Sequence, residues 1–233
     1  MSEENSTFER ARRITFKWRF AYLFLTILIF MGLEPVHVKI RYLNILLDIV
    51  FTVVLIASIN VVSLNKKQTV IGLILAIPAF VTTWATSIFT QPWLFLAASI
   101  SGAAFFLFLA LAIFIFVINQ DYISRDMMSG AAVVYLLLAI MWTFAYRAIE
   151  LIQPGSFYIS EQDIIEHGFP FLYFSIVTIT TLGYGDIHPI TNASRTAASL
   201  EALIGQIYLV FTVARLVSIH TSQSLERKKK KTE

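Results

Sequence analysis

The chain has 233 residues, 57% hydrophobic and 14% charged, with a net charge of +3 and a mean hydropathy of +0.72. A soluble globular chain carries roughly 25% charged residues, and one of this size could not hide so much apolar surface. Soluble enzymes, disordered proteins and disulfide-stapled secreted domains are therefore disfavoured. Cysteine is absent, which excludes disulfides, thiolate metal sites and cysteine nucleophiles.

Apolar runs predict the elements in chain order. The first eighteen residues are polar and charged, and no small-residue cleavage site follows the first apolar run, so no cleavable signal peptide is expected. A first span covers 18–33 and stops at Glu34-Pro35; a second covers 42–64; Lys66-Lys67 forms a short basic turn. A third span covers 69–89 with Pro78 in its middle, where a proline removes a backbone donor and usually kinks a helix. Thr90-Gln91-Pro92 reads as a tight hairpin before a fourth span over 93–118. Residues 68–119 contain no Asp, Glu, Lys, Arg or His, about twice the ~20 apolar residues that cross a bilayer. A polar linker, 119–128, holds Asp121, Arg125 and Asp126, and a fifth span covers 131–151. Beyond the polar stretch 153–168, the apolar run 169–181 is too short to span and is expected to dip in and return. A sixth span covers 197–219.

The expected fold is thus an all-α membrane protein of six transmembrane helices plus one re-entrant helix. An even number of spans puts both termini on one side. Assigning that side as cytoplasmic places 14 of the 18 Lys and Arg inward and leaves Lys39, Arg41, Arg147 and Arg195 outward, as the positive-inside rule requires. Glu150, Glu161, Asp163, Glu166 and Asp186 then lie outside. Neither a repeat nor an inverted hydropathy pattern is visible.

The re-entrant run ends in Thr178-Ile179-Thr180-Thr181-Leu182-Gly183-Tyr184-Gly185-Asp186. Here the sequence resembles the potassium-channel pore, whose filter reads Thr-Val/Leu/Ile-Gly-Tyr-Gly. The short apolar helix before it, the Asp after it and the flanking spans agree with that resemblance. The bland alternative is a glycine-rich turn with Tyr184 as packing.

The resemblance implies a homotetramer in which four copies of Thr181, Leu182, Gly183, Tyr184 and Gly185 form the selectivity filter. Carbonyls of Thr181 to Tyr184 and the Thr181 hydroxyl would replace the water shell of K+. Lining a pore this way needs alternating backbone conformations, which Gly183 and Gly185 supply at little steric cost. Leu182 and Tyr184 would face away and buttress the filter. In the family a pore-helix Trp bonds the Asp after the filter. Tyr173 stands at that offset, so its hydroxyl could bond Asp186; alternatively Tyr173 packs on its neighbours and Asp186 is solvated.

By the same resemblance Gly205 sits at the inner-helix hinge position. A small residue permitting close helix contact is the competing reading, and Gly205→Pro tests the hinge through open probability. Gln206, Leu209, Val213 and Val217 would share a cavity-facing stripe, at three- and four-residue spacing, or equally a lipid- or bundle-facing one. Glu201, an ionisable group well inside the sixth span, could bond Thr178 or Thr180 or lie nearer the outer water, and a structural bond is favoured over a proton relay. Arg215 near the cytoplasmic end is expected to snorkel.

Six spans with the pore in the last two resemble the voltage-gated-like potassium channels, but the fourth span has none of their Arg or Lys. A conventional voltage sensor is therefore not expected. Asp48, where such sensors hold countercharges, would pair with Arg41 or a nearby polar group.

The domains expected are a cytoplasmic segment 1–17, a four-helix peripheral domain with its linker 18–129, a pore domain 130–220 and a basic cytoplasmic tail 221–233. The cluster Arg227, Lys228, Lys229, Lys230 and Lys231 could touch anionic lipid or be a disordered tail. Neither an enzyme, a cofactor nor nucleic-acid binding is expected. A weakly selective cation channel and, less well supported, a secondary transporter are the rival functions.

Overall fold

The computed structural model describes residues 19–33, 41–62, 66–120, 122, 124–160 and 170–232. The segment 1–17, Trp18, Glu34-Pro35, Lys39, Asp121 and the acidic Glu161, Asp163 and Glu166 lie outside them, as do the side chains of Arg41, Arg125, Arg227, Lys228, Lys229, Lys230 and Lys231. In chain order the elements are α1 Arg19–Leu33, α2 Arg41–Val62, α3 Lys66–Ile88, α4 Pro92–Ile118, α5 Arg125–Ile152, β1 Phe157–Tyr158, α6 Phe171–Ile179, β2 His188–Pro189 and α7 Asn192–Thr232. Four stretches are long and apolar enough to cross a membrane: Lys66–Ile88, Pro92–Ile118, Asp126–Ile152 and Asn192–Thr221. Arg19–Leu33 and Ile45–Val61 are shorter apolar helices; fifteen helical residues reach about 22 Å at 1.5 Å each, short of a ~30 Å hydrocarbon core.

Several boundaries differ from the sequence reading, each for a local reason. The linker is shorter than 119–128 because α5 begins at Arg125. Ser124 is extended and its hydroxyl accepts the Met127 N–H at 3.0 Å, capping the helix, while Asp126 lies in the first turn. Lys66-Lys67 is the first turn of α3 rather than a separate basic turn, and α3 continues through Pro78 to Ile88. The sixth predicted span and the tail are one helix of 41 residues. No Gly or Pro follows Gly205, and Leu, Glu, Arg and Lys favour helix. A two-residue antiparallel bridge, Phe157 opposite Pro189 and Tyr158 opposite His188, was not expected.

The most extensive packing is α4 on α5. Gly102 allows it: a Cβ there would lie 2.8 Å from the Phe144 ring. Phe144 stacks on Phe106 at 5.7 Å and 18°, and Phe51 of α2 meets Phe106 at 5.9 Å, edge to face. Aromatic pairs in these geometries contribute about 0.5–1.5 kcal/mol each beyond burial. α1 docks through Arg19, whose guanidinium lies 4.7 Å from the Phe20 ring and 4.6 Å from Phe116, with its Nε 3.8 Å from Asp126.

Within the apolar bundle a few polar groups tie helix to helix. Trp84 Nε1 donates to Thr52 Oγ1 at 3.1 Å, the Thr82 and Ser101 hydroxyls meet at 3.1 Å, and the Ser87 hydroxyl donates to Asp48. Asp48 is therefore held by a neutral hydroxyl of α3.

Candidate functional site

The site grows from α6, a nine-residue helix whose Phe171, Leu172, Phe174, Ser175, Val177 and Ile179 are buried. Its apolar face needs a dry bed, and α5 and α7 supply it. Tyr146 meets Phe174 edge to face at 4.9 Å, and Phe157 meets Phe171 and Phe174 at 5.2 and 5.4 Å. The helix spans 171–179 rather than the full predicted 169–181, because the chain reverses immediately after it. Thr181 N–H donates to Thr178 O at 2.9 Å and Leu182 N–H to Val177 O at 2.9 Å, with Gly183 N–H 3.3 Å from the same oxygen. The helix-end carbonyls are thus met by the returning chain.

The returning chain has an alternating backbone. Thr181, Gly183 and Gly185 have φ of 59°, 59° and 81°, and Leu182 and Tyr184 between them do not lie in the left-handed region. The two glycines adopt this at little cost. Thr181 is the one non-glycine residue with positive φ among the described residues, a β-branched residue in a conformation such residues rarely hold. The sequence signal for alternation lay in the glycines and missed Thr181. All of 181–186 is exposed in the single chain, with Leu182 at 56% and Tyr184 at 68%. More than half of each of these two side chains is thus left open within one chain.

Behind the segment, Tyr173 Oη donates to Asp186 Oδ2 at 2.5 Å. The donated proton holds the Asp186 carboxyl below its ordinary value of 3.8, aided by the Ile187 N–H. His188 Nδ1 lies 3.2 Å from Gly185 O, and its ring stacks on Tyr158 at 4.8 Å. The outer turn is fixed in turn by Glu150. Its carboxylate accepts the N–H groups of Gly155, Ser156 and Phe157 at 2.7, 2.9 and 3.2 Å.

Glu201 is fully buried, but its partners are not the predicted Thr178 or Thr180. The Tyr146 hydroxyl of α5 donates to Glu201 Oε2, and Ser175 of α6 lies within hydrogen-bond reach of Oε1. The correction is geometric: Ser175 is on the buried face of α6, whereas the Thr180 hydroxyl bonds back to Ile176 O at 2.7 Å. Sequence reasoning missed Tyr146, Ser175 and Tyr135. Tyr135 Oη donates to Ile179 O at 3.0 Å, and Tyr208 Oη to Ala131 O at 2.6 Å. A tyrosine inside an apolar span was the available signal, since its buried hydroxyl needs a partner.

Gly205 is a close-approach residue. A Cβ there would lie 2.5 Å from Ile179 Cγ1 and 2.9 Å from Ile179 O, and α7 runs through it without interruption. Gln206, Leu209, Val213 and Val217 are all exposed in the single chain, as are Leu203, Ile207, Val210 and Phe211 of α7. Arg215 does more than snorkel: its Nη2 donates to Gln120 O at 3.1 Å, tying α7 to the turn between α4 and α5.

Comparison with known proteins bears on the same stretch of chain. Residues 134–222, from α5 through α6 and the 181–186 segment into α7, match a family model described as "Ion channel". An uncharacterized protein of Methanothermus fervidus is 36% identical over 89 residues, which is 38% of this chain and 12% of the relative's length. The chain thus spans about an eighth of that relative. The matched stretch is thus similar to ion channels, and four helices in and around it are long and apolar enough to cross a membrane.

Proposed function

We propose that this chain is a potassium-selective channel subunit that conducts K+ passively as a homotetramer. The observation that carries the reading is the alternation at Thr181, Gly183 and Gly185 directly after a short buried helix. Such backbone turns successive carbonyls the same way, and irregular backbone at membrane depth is tolerable only where it is buried in protein or faces water and ions. Four copies of Thr181, Leu182, Gly183, Tyr184 and Gly185 would then surround the permeant ion. Tyr173 and Asp186 brace the loop from behind, and Gln206, Leu209, Val213 and Val217 line the vestibule below.

Six spans, a cell-membrane location and cytoplasmic termini belong to the same proposal, resting on the placement of Lys and Arg. So do the four domain boundaries and a lipid contact at Arg227, Lys228, Lys229, Lys230 and Lys231. Gating by a conventional sensor is not part of it, because α4 carries no charge for the field to act on.

The test is recording from purified protein in a planar bilayer with K+ on one side and Na+ on the other. A reversal potential near the K+ equilibrium value is expected. Equal permeation of Na+ would replace the reading with a weakly selective cation channel, and saturable coupled flux would replace it with a transporter. Purified particles lacking fourfold symmetry would sink it outright.

A further inference from the structure

Three short oxygen–oxygen contacts link Tyr146, Glu201, Ser175 and Ala139, two of them at the Glu201 carboxyl. Tyr146 Oη touches Oε2, Ser175 Oγ touches Oε1, and Ser175 Oγ also lies 2.7 Å from Ala139 O. The four residues come from three elements: Ala139 and Tyr146 from α5, Ser175 from α6 and Glu201 from α7. Glu201, Ser175 and Tyr146 are each 0% exposed. No ion pair joins Glu201 to a basic side chain among the described residues.

Each contact requires one proton between its oxygens. Tyr146 has one hydroxyl proton and Ser175 has one, while a backbone carbonyl has none to give. Two hydroxyl protons cannot serve three contacts. If Ser175 donates to the carboxylate, two bare oxygens face each other at 2.7 Å across Ala139. If Ser175 donates to Ala139, a bare hydroxyl oxygen faces a bare carboxylate oxygen. A proton on Glu201 removes the conflict, and the chain then runs Tyr146 to Glu201 to Ser175 to Ala139 O with every donor used.

We propose that Glu201 is a carboxylic acid in the folded protein and acts as the positioning residue of α6, donating its proton to Ser175 and so binding the short helix to α5 and α7 together. The role follows from the fold: α6 has no side-chain cap at its N-terminus, so lateral ties of this kind set where its C-terminal end, and the segment after it, stand.

The test is an infrared difference spectrum of the protein in lipid at neutral pH, wild type minus Glu201→Gln. The expected result is a carboxylic-acid carbonyl stretch lost in the variant; a difference containing only carboxylate stretches overturns the proposal. Should Glu201→Gln not fold, Ser175→Ala carries the same measurement, because removing the proton's acceptor must shift that band. Melting of the detergent-solubilised protein supplies a second readout. Glu201→Gln, which can accept from Tyr146 and donate to Ser175, is expected to melt with the wild type, whereas Glu201→Leu, which can do neither, loses stability. Equal loss in both would overturn the donor role. Ion flux is expected to survive in Glu201→Gln; this readout alone rests on the channel reading, and a wild type without flux would count against that reading while leaving the spectrum to decide Glu201.

Discussion

α3 and α7 are equally uncovered, each with only 17% of its most apolar stretch buried, against 56% for α5, yet their exposure has different physical meaning. The open face of α3 presents Val70, Ile71, Ile74, Ile77 and Val81, side chains that lipid tails solvate as well as protein does. α7 presents Leu203, Ile207, Val210 and Phe211 in the same way, but it also borders the exposed 181–186 segment and carries Gln206 outward. Lipid offers nothing to backbone oxygens. An apolar surface alone asks for a membrane; an apolar surface beside unmet backbone asks for more protein, or for ions. The peripheral helices are packed by aromatic side chains that include Phe144 of α5, whereas the 181–186 segment is left open in the single chain.

Substitution of small residues on the two sides tests this contrast most sharply. Gly183→Ala places a side chain at φ 59°, a conformation costing an L-residue roughly 1–2 kcal/mol, repeated in every subunit of the proposed tetramer. Loss of selective K+ flux is expected, read in liposomes; a variant as selective as the wild type would refute the role of the alternation. Next comes Gly205→Ala, whose Cβ would meet backbone as well as side chain of Ile179. Overpacking of this kind costs about 1–3 kcal/mol, read as a lower melting temperature, and an unchanged one would show that α6 and α7 can separate freely.

Tyr173→Phe has a smaller effect with a definite pH signature. Asp186 is held below its ordinary value by the Tyr173 hydroxyl, so the stabilisation is present above the unfolded value and lost as pH falls through the folded one. Removing the hydroxyl moves the acid limb of K+ flux upward in pH, toward the ordinary carboxyl range, with little change at neutral pH. An acid limb that does not move would separate Asp186 from the permeation step. The smallest effect is expected on the peripheral side, at Gly72→Ala in α3. The added Cβ would rest 3.4 Å from Phe108 Cε1, close enough that the ring must yield slightly, and alanine favours helix by up to about 1 kcal/mol. Melting and flux should both stay near wild type.

Much of this was legible in the chain itself. Apolar runs located the helices, since apolar length is what a bilayer selects, although α5 begins at Arg125 and α7 runs to Thr232, well beyond the predicted bounds; Gly183 and Gly185 announced unusual backbone, since few other residues accept it. The bond between Tyr173 and Asp186 was one of two open readings, because spacing brings the residues near without fixing where a ring points.

What the sequence determined by itself was a membrane protein with a short apolar helix feeding a Thr-Leu-Gly-Tyr-Gly turn, because hydropathy and glycine placement act locally. Tertiary structure alone decided that Glu201 meets Tyr146 and Ser175, that Arg215 reaches Gln120, and that Gly205 lies against Ile179. Those contacts join residues 26 to 95 positions apart, and only the packing of one helix face on another chooses them.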